Sequence, residues 1–192
     1  NYFRDPAEES AFAFYPGSTA ASATAGDVWV NLAVEENSDL TFGTFGPHIL
    51  AHEIGHAIGI SHPGPYKAGA GDEITYEDDA VYWQDARAFT VMSYFGSLDT
   101  VGHSLNGFAA GPQLHDIAAA QRLYGANMST RTGNTVYGFN SNTGRQHYTI
   151  TADGASPVFA IWDAGGVDTL DLSGYSTSVE IDLREEAFSS AG

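Results

Sequence analysis

The chain has 192 residues, 43% of them apolar, enough for one ordinary domain, or one plus part of another, around a real core. Seven Lys and Arg stand against 24 acids, for a formal net charge of −17, which excludes the basic footprint of a nucleic-acid binder and docking on an anionic membrane. With no cysteine there are no disulfides or thiolate metal sites, and no apolar run is long enough to span a bilayer.

The chain opens on Asn1-Tyr2-Phe3, without an initiator Met, and ends just after a strand-like segment; both ends read as cuts. Residues 10–15, SAFAFY, alternate and carry aromatics, and residues 27–34, DVWVNLAV, alternate again, so both read as strands. At His48 the period changes. Residues 48–58 fit a helix with Leu50, Ile54, Ala57 and Ile58 inward, and Gly59 is the expected stop. Residues 65–90 are irregular and acidic. Gly111-Pro112 opens a second helix with Leu114, Ile117, Ala118 and Tyr124 on one stripe, ended by Gly125. Beyond it Gly, Asn, Thr and Asp rise, and short alternating runs appear: HYTITA, PVFAIW and VEIDL. The expected organisation is therefore an α+β domain over residues 1–127 and the start of an all-β domain over 128–192.

The stretch AHEIGHAIGISHPG, residues 51–64, holds the chemistry. His52 and His56 are four apart, so on a helix they share one face, and two imidazoles so placed can bind one zinc. Glu53 can lean over the same metal as general base toward its water without ligating it. Gly59 lets the chain reverse, and His62 can return as third ligand.

H-E-x-x-H-x-x-G-x-x-H is the metzincin motif, and HEIGHAIGISHPG resembles the serralysin group of secreted bacterial zinc metalloproteases. Thr90-Val91-Met92-Ser93-Tyr94 is similar to the Met-turn of that family. The resemblance implies that Met92 underlies the zinc histidines and that Tyr94 is a displaceable zinc ligand whose hydroxyl stabilises the oxyanion. It extends through the helix near residue 115 to WDAGGVDTLDLSGY, over nearly the whole chain from residue 10. It implies a metzincin-like protease domain whose N-terminal part is missing, followed by the start of a calcium-binding β-roll or sandwich domain. It also implies a substrate peptide paired along the strand edge near Ser10–Phe14.

Asp163-Ala164-Gly165-Gly166-Val167-Asp168 is a compact Asp/Gly turn, similar to one degenerate copy of the Gly-Gly-x-Gly-x-Asp calcium repeat. Taken alone it is also compatible with a plain β-turn. By the resemblance its calcium ligands are backbone oxygens of Arg131, Gly133, Thr135 and Gly165 with the carboxylates of Asp163 and Asp168, while Gly166 and Asp168 share a second ion.

His48, His103, His115 and His147 have no ligand-like company and read as surface residues or as residues behind the site. Gly102 to Asn106 falls short of a serine-hydrolase elbow, and Gly69-Ala70-Gly71 lacks the third glycine of a dinucleotide loop. The expected function is an extracellular zinc endopeptidase of broad specificity, monomeric, stabilised by calcium and acting on proteins and peptides. Family members meet a small proteinaceous inhibitor, although no residue here points to one. Two rivals stand beside it: an inert fragment that binds calcium and zinc as a structural module, and a zinc hydrolase acting on something other than protein.

Overall fold

A computed structural model of the chain describes residues 1–5, 10–67, 73–102, 104–105, 107–152, 157–184 and 187–191. His103, Asn106 and the Gly69–Gly71 stretch lie outside the described residues.

The first half is α+β. Strands β1 (Tyr2–Phe3), β2 (Ala11–Ala13) and β3 (Val28–Asn31) form one sheet in the order β1-β3-β2. β1 runs parallel to β3 and β2 antiparallel to it, with Phe12 opposite Trp29. Two buried amides stitch the sheet to its loops. Asn31 Nδ2 donates to the Asp5 carbonyl at 2.6 Å, and Asn37 Nδ2 donates to the carbonyls of Ser10 and Asn31 at 2.7 and 2.8 Å. β2 is left as an edge strand.

Helix α1 (Phe45–Ala57) follows and packs on this sheet. Short helices α2 (Tyr76–Asp79) and α3 (Leu98–Val101) interrupt a long irregular stretch, and α4 (Leu114–Tyr124) closes the first half. Between α1 and α4 lies a core of Ile60, Val91, Met92 and Ala109, with Ala51, Ala119, Ala120 and Val158 against it. Among the described residues no helix is long and apolar enough to cross a membrane.

Which face of α1 is buried differs from the expected stripe. Ile54 is 52% exposed and Ile58 37%, whereas His48, His52, Glu53 and His56 are buried. The helix turns its polar face inward because those side chains find partners there. Its isoleucines line an apolar groove of about 670 Å³ that reaches Ile117, Tyr124 and Trp162. The α4 stripe is likewise only half-buried, with Ala118 and Tyr124 exposed and Asp116 the buried residue of that helix.

The second half holds less regular strand than its alternation suggests. β4 (Val136–Gly138) pairs parallel with β5 (Thr169–Asp171), and β6 (Val179–Glu180) pairs antiparallel with β7 (Ser190–Ala191). HYTITA forms a 3₁₀ turn over Gln146–Tyr148 and then one isolated bridge from Thr149 to Gly138; PVFAIW carries no strand among its described residues. The halves touch through Trp162 Nε1, which donates to the Asn127 carbonyl at 3.2 Å, and through Phe188 edge-on to Phe89 at 5.1 Å.

Candidate metal centre

The end of α1 builds the site. Gly59 has φ +97°, a conformation that costs glycine little. Its amide donates to the His56 carbonyl, and the Ile60 amide to that of Gly55, both at 2.9 Å. This pair of bonds is a Schellman stop. It reverses the chain so that the Ile60 carbonyl meets His56 Nδ1 at 2.8 Å and His62 comes back over the helix.

His52, His56 and His62 form the one group of three or more potential ligand side chains among the described residues, their donor atoms within 4.8 Å of one another. Each Nδ1 faces a backbone carbonyl: His52 to Val91 at 2.8 Å, His56 to Ile60 at 2.8 Å, His62 to Tyr66 at 2.9 Å. A carbonyl can only accept, so each Nδ1 carries the proton and each Nε2 keeps a bare lone pair. Those lone pairs converge: His62 Nε2 lies 3.1 Å from His52 Nε2 and 3.0 Å from His56 Nε2. Burial, the largest cause, lowers the pKa of all three, that of His52 to about 3, so the rings are neutral.

Three neutral nitrogens at that spacing repel unless a cation sits between them. A tetrahedral zinc with Zn–N of about 2.0–2.1 Å sets its nitrogens roughly 3.3 Å apart, so the donor set fits such an ion. Carbonyl partners on the far nitrogens are the outer contacts that orient metal-binding histidines.

Around the three rings stand the other expected residues. Glu53 is 4% exposed, and its charge, after burial, raises the pKa of Tyr15. Met92, 1% exposed, lies against Gly55, where a β-carbon would overlap its sulfur; the methionine thus floors the helix turn between His52 and His56. Tyr94 is half-buried, its ring 4.7 Å from that of His62 and 5.9 Å from that of His52.

Four residues that motif spacing does not reveal complete the surroundings. Tyr15 crosses from the end of β2, its ring edge-on to His56 at 5.3 Å and its hydroxyl 3.1 Å from His56 Nδ1. Asp116, on the first turn of α4, accepts from the amides of Val91 and Gln113, both at 2.8 Å, and from the Thr90 hydroxyl. Tyr66 donates its hydroxyl to Asp85 Oδ1 at 2.8 Å, and burial with that bond pushes its phenol well above the ordinary value. An acid in the first turn of a helix is a legible signal; the others arrive from far along the chain.

Of the four unaligned histidines, His48 is buried between Phe45 and Phe108 with Nδ1 3.3 Å from the Ala109 carbonyl, so it lies behind the site. His115 stacks on Phe89, and His147 is half-buried beside Tyr148.

The expected calcium residues are also brought together. The Thr135 amide donates to Asp168 Oδ1 at 2.9 Å, the Gly165 amide to Asp163 Oδ1 at 3.0 Å, and the Tyr137 hydroxyl to Asp163 Oδ2 at 2.6 Å. The Tyr137 bond, then that from Gly165, holds the Asp163 carboxyl below its usual range. Gly165 and Gly166 have φ of 155° and 125°, and a β-carbon on Gly166 would overlap the Gly133 carbonyl. Arg131 has φ +48° and binds the Trp162 carbonyl. Segments 131–135 and 163–168 therefore lie side by side.

Residues 126–192 match the family described as Peptidase M10 serralysin C terminal. The chain is 48% identical over 185 residues to Serralysin B of Dickeya chrysanthemi, covering 96% of this chain and 38% of that protein. It is 49% identical over 183 residues to a Serralysin C of the same organism, covering 95% of this chain and 37% of that protein. To Metallopeptidase AprA of Pseudomonas marginalis it is 42% identical over 196 residues, covering 100% of this chain and 41% of that protein. It thus spans well under half the length of these relatives. Residues 126–192 carry the serralysin C-terminal domain, and nearly the whole chain is homologous to the serralysin and AprA metalloproteases.

Proposed function

We propose that this chain carries the zinc centre of a secreted endopeptidase of serralysin type, with the metzincin-like protease segment over residues 1–127 and a calcium-binding β segment over 128–192. The observation that carries the reading is the convergence of three proton-free Nε2 atoms at 3.0 and 3.1 Å beside a buried glutamate. His52, His56 and His62 would hold the zinc, and Tyr94 would serve as a displaceable further ligand. Bound there, zinc supplies a Lewis acid and an acidified water.

The chain's own residues do the rest. Glu53 takes the proton of the attacking water and returns it to the leaving amine. The Tyr94 hydroxyl donates to the oxyanion. The free edge of β2 offers main-chain groups to an extended peptide, which gives broad specificity because such pairing reads few side chains. Protein and peptide substrates outside the cell, and a chain working as a monomer, follow from this reading. Calcium would be held by Asp163, Asp168 and carbonyls of residues 131–135 and 165.

Metal content and casein hydrolysis, measured together for the parent chain and Glu53→Ala, test it. Zinc in both, with hydrolysis reduced about 10²–10⁴-fold in the variant, supports it. A zinc-loaded parent that cleaves no protein favours the inert metal-binding module, which the uncovered Ile54 and Ile58 groove makes the specific rival. A parent without zinc sinks the site.

A further inference from the structure

We infer that Tyr66, anchored by Asp85, is a positioning residue of the metal centre that fixes His62 and Tyr94 together. The inference rests on the zinc reading above. His62 is the ligand that leaves the helix; the rings of His52 and His56 touch it from α1, and its orientation needs a hold from outside the helix. Tyr66 supplies that hold twice. Its carbonyl accepts His62 Nδ1–H at 2.9 Å, and its ring stacks on the same imidazole at 5.4 Å and 16°. That ring also lies 5.0 Å from the ring of Tyr94.

Contacts of ring on ring leave a tyrosine free to slide, because dispersion has little direction. The hydroxyl removes that freedom, since Tyr66 donates to Asp85 Oδ1 at 2.8 Å from nineteen residues away. Tyr66 is 6% exposed and Asp85 0%. Among the described residues Asp85 Oδ2 has no hydrogen-bond partner. Burying a carboxylate so is costly, and a phenylalanine over an apolar neighbour would fill the space more cheaply. What the pair adds is a fixed place for the ring. Gly64 makes room for it: a β-carbon there would come within 2.8 Å of Tyr66 Cδ1 and Cε1.

The test uses the full 192-residue chain. Tyr66→Phe keeps the ring and loses the anchor; Asp85→Ala loses the anchor from the other side; Asp85→Asn keeps an oxygen acceptor for the phenol. Zinc affinity is read by chelator competition and ligand geometry by the visible absorption of the cobalt-substituted chain. Tyr66→Phe and Asp85→Ala should weaken zinc about tenfold or more and shift the cobalt bands, and Asp85→Asn should restore both. Folded Tyr66→Phe with the parent's zinc affinity and cobalt spectrum overturns the inference. Should Tyr66→Phe not fold, the two Asp85 variants make the same comparison. A parent that binds neither metal removes the zinc reading, and this inference with it; a parent that binds zinc beside indifferent variants removes this inference alone.

Discussion

His52 Nδ1 lies 2.8 Å from the carbonyl oxygen of Val91, and the amide of that same residue lies 2.8 Å from Asp116 Oδ2. One residue thus ties the first histidine to the first turn of α4. Asp116→Ala leaves three buried donors, the Thr90 hydroxyl and the Val91 and Gln113 amides, without their acceptor. The expected loss is about 2–4 kcal/mol of stability in urea unfolding, with zinc affinity down about tenfold. An alanine variant as stable as the parent would show that these donors have other partners.

Gly55 is expected to resist any side chain. An alanine there must displace Met92, which is buried and sits beneath the helix turn between His52 and His56. Overpacking of this kind costs about 1–3 kcal/mol. Gly55→Ala/Met92→Ala should recover part of the loss, because the second change removes the collision. Thermal unfolding of both variants checks this; a double variant no better than the sum of the singles refutes the contact.

His48 supplies a pH dependence. Burial, then the charge of Arg87, lowers its pKa from 6.5 to about 4. Above 6.5 it is neutral folded and unfolded, so stability does not depend on it. As the pH falls from 6.5 to about 4, only the unfolded chain takes the proton, and stability drops; below that both states are charged and the slope ends. The full effect is about 3 kcal/mol. In chelator-treated protein, His48→Gln should unfold with a shallower pH slope than the parent across that window. Equal slopes would mean that His48 titrates normally in the fold.

Calcium should stabilise residues 128–192. At a concentration a hundred times its dissociation constant a bound ion adds about 2.7 kcal/mol. Asp163→Asn and Asp168→Asn should each abolish the calcium-dependent rise in melting temperature while leaving the zinc content unchanged. Magnesium, which demands smaller octahedral sites, should not substitute. A melting temperature indifferent to calcium would leave DAGGVD as a plain turn.

The convergence of His52, His56 and His62 was legible because its instructions are local. Helical period, the Gly59 stop and the return of His62 lie within one short stretch, and each is visible in residue types. The buried face of α1 was not legible. Apolar spacing pointed Ile54 and Ile58 inward, yet the histidines and Glu53 took that side, since carbonyls of Val91 and Ile60 wait there. Tyr15 and Asp85 were hidden for a related reason: their roles depend on partners 41 and 19 residues away. The tail's strands were overread because alternation specifies two faces but supplies no neighbour, and a strand exists only where one pairs with it.

The Schellman stop at Gly59 also bears on how the centre comes together during folding. All three histidines fall between residues 52 and 62, so closing the cluster orders a very short loop, and loop-closure entropy grows with length. Val91, Met92 and Tyr94 arrive across a far longer one. The histidine cluster is therefore a low-contact-order unit, one able to form early, with Met92 and Tyr94 docking onto it later.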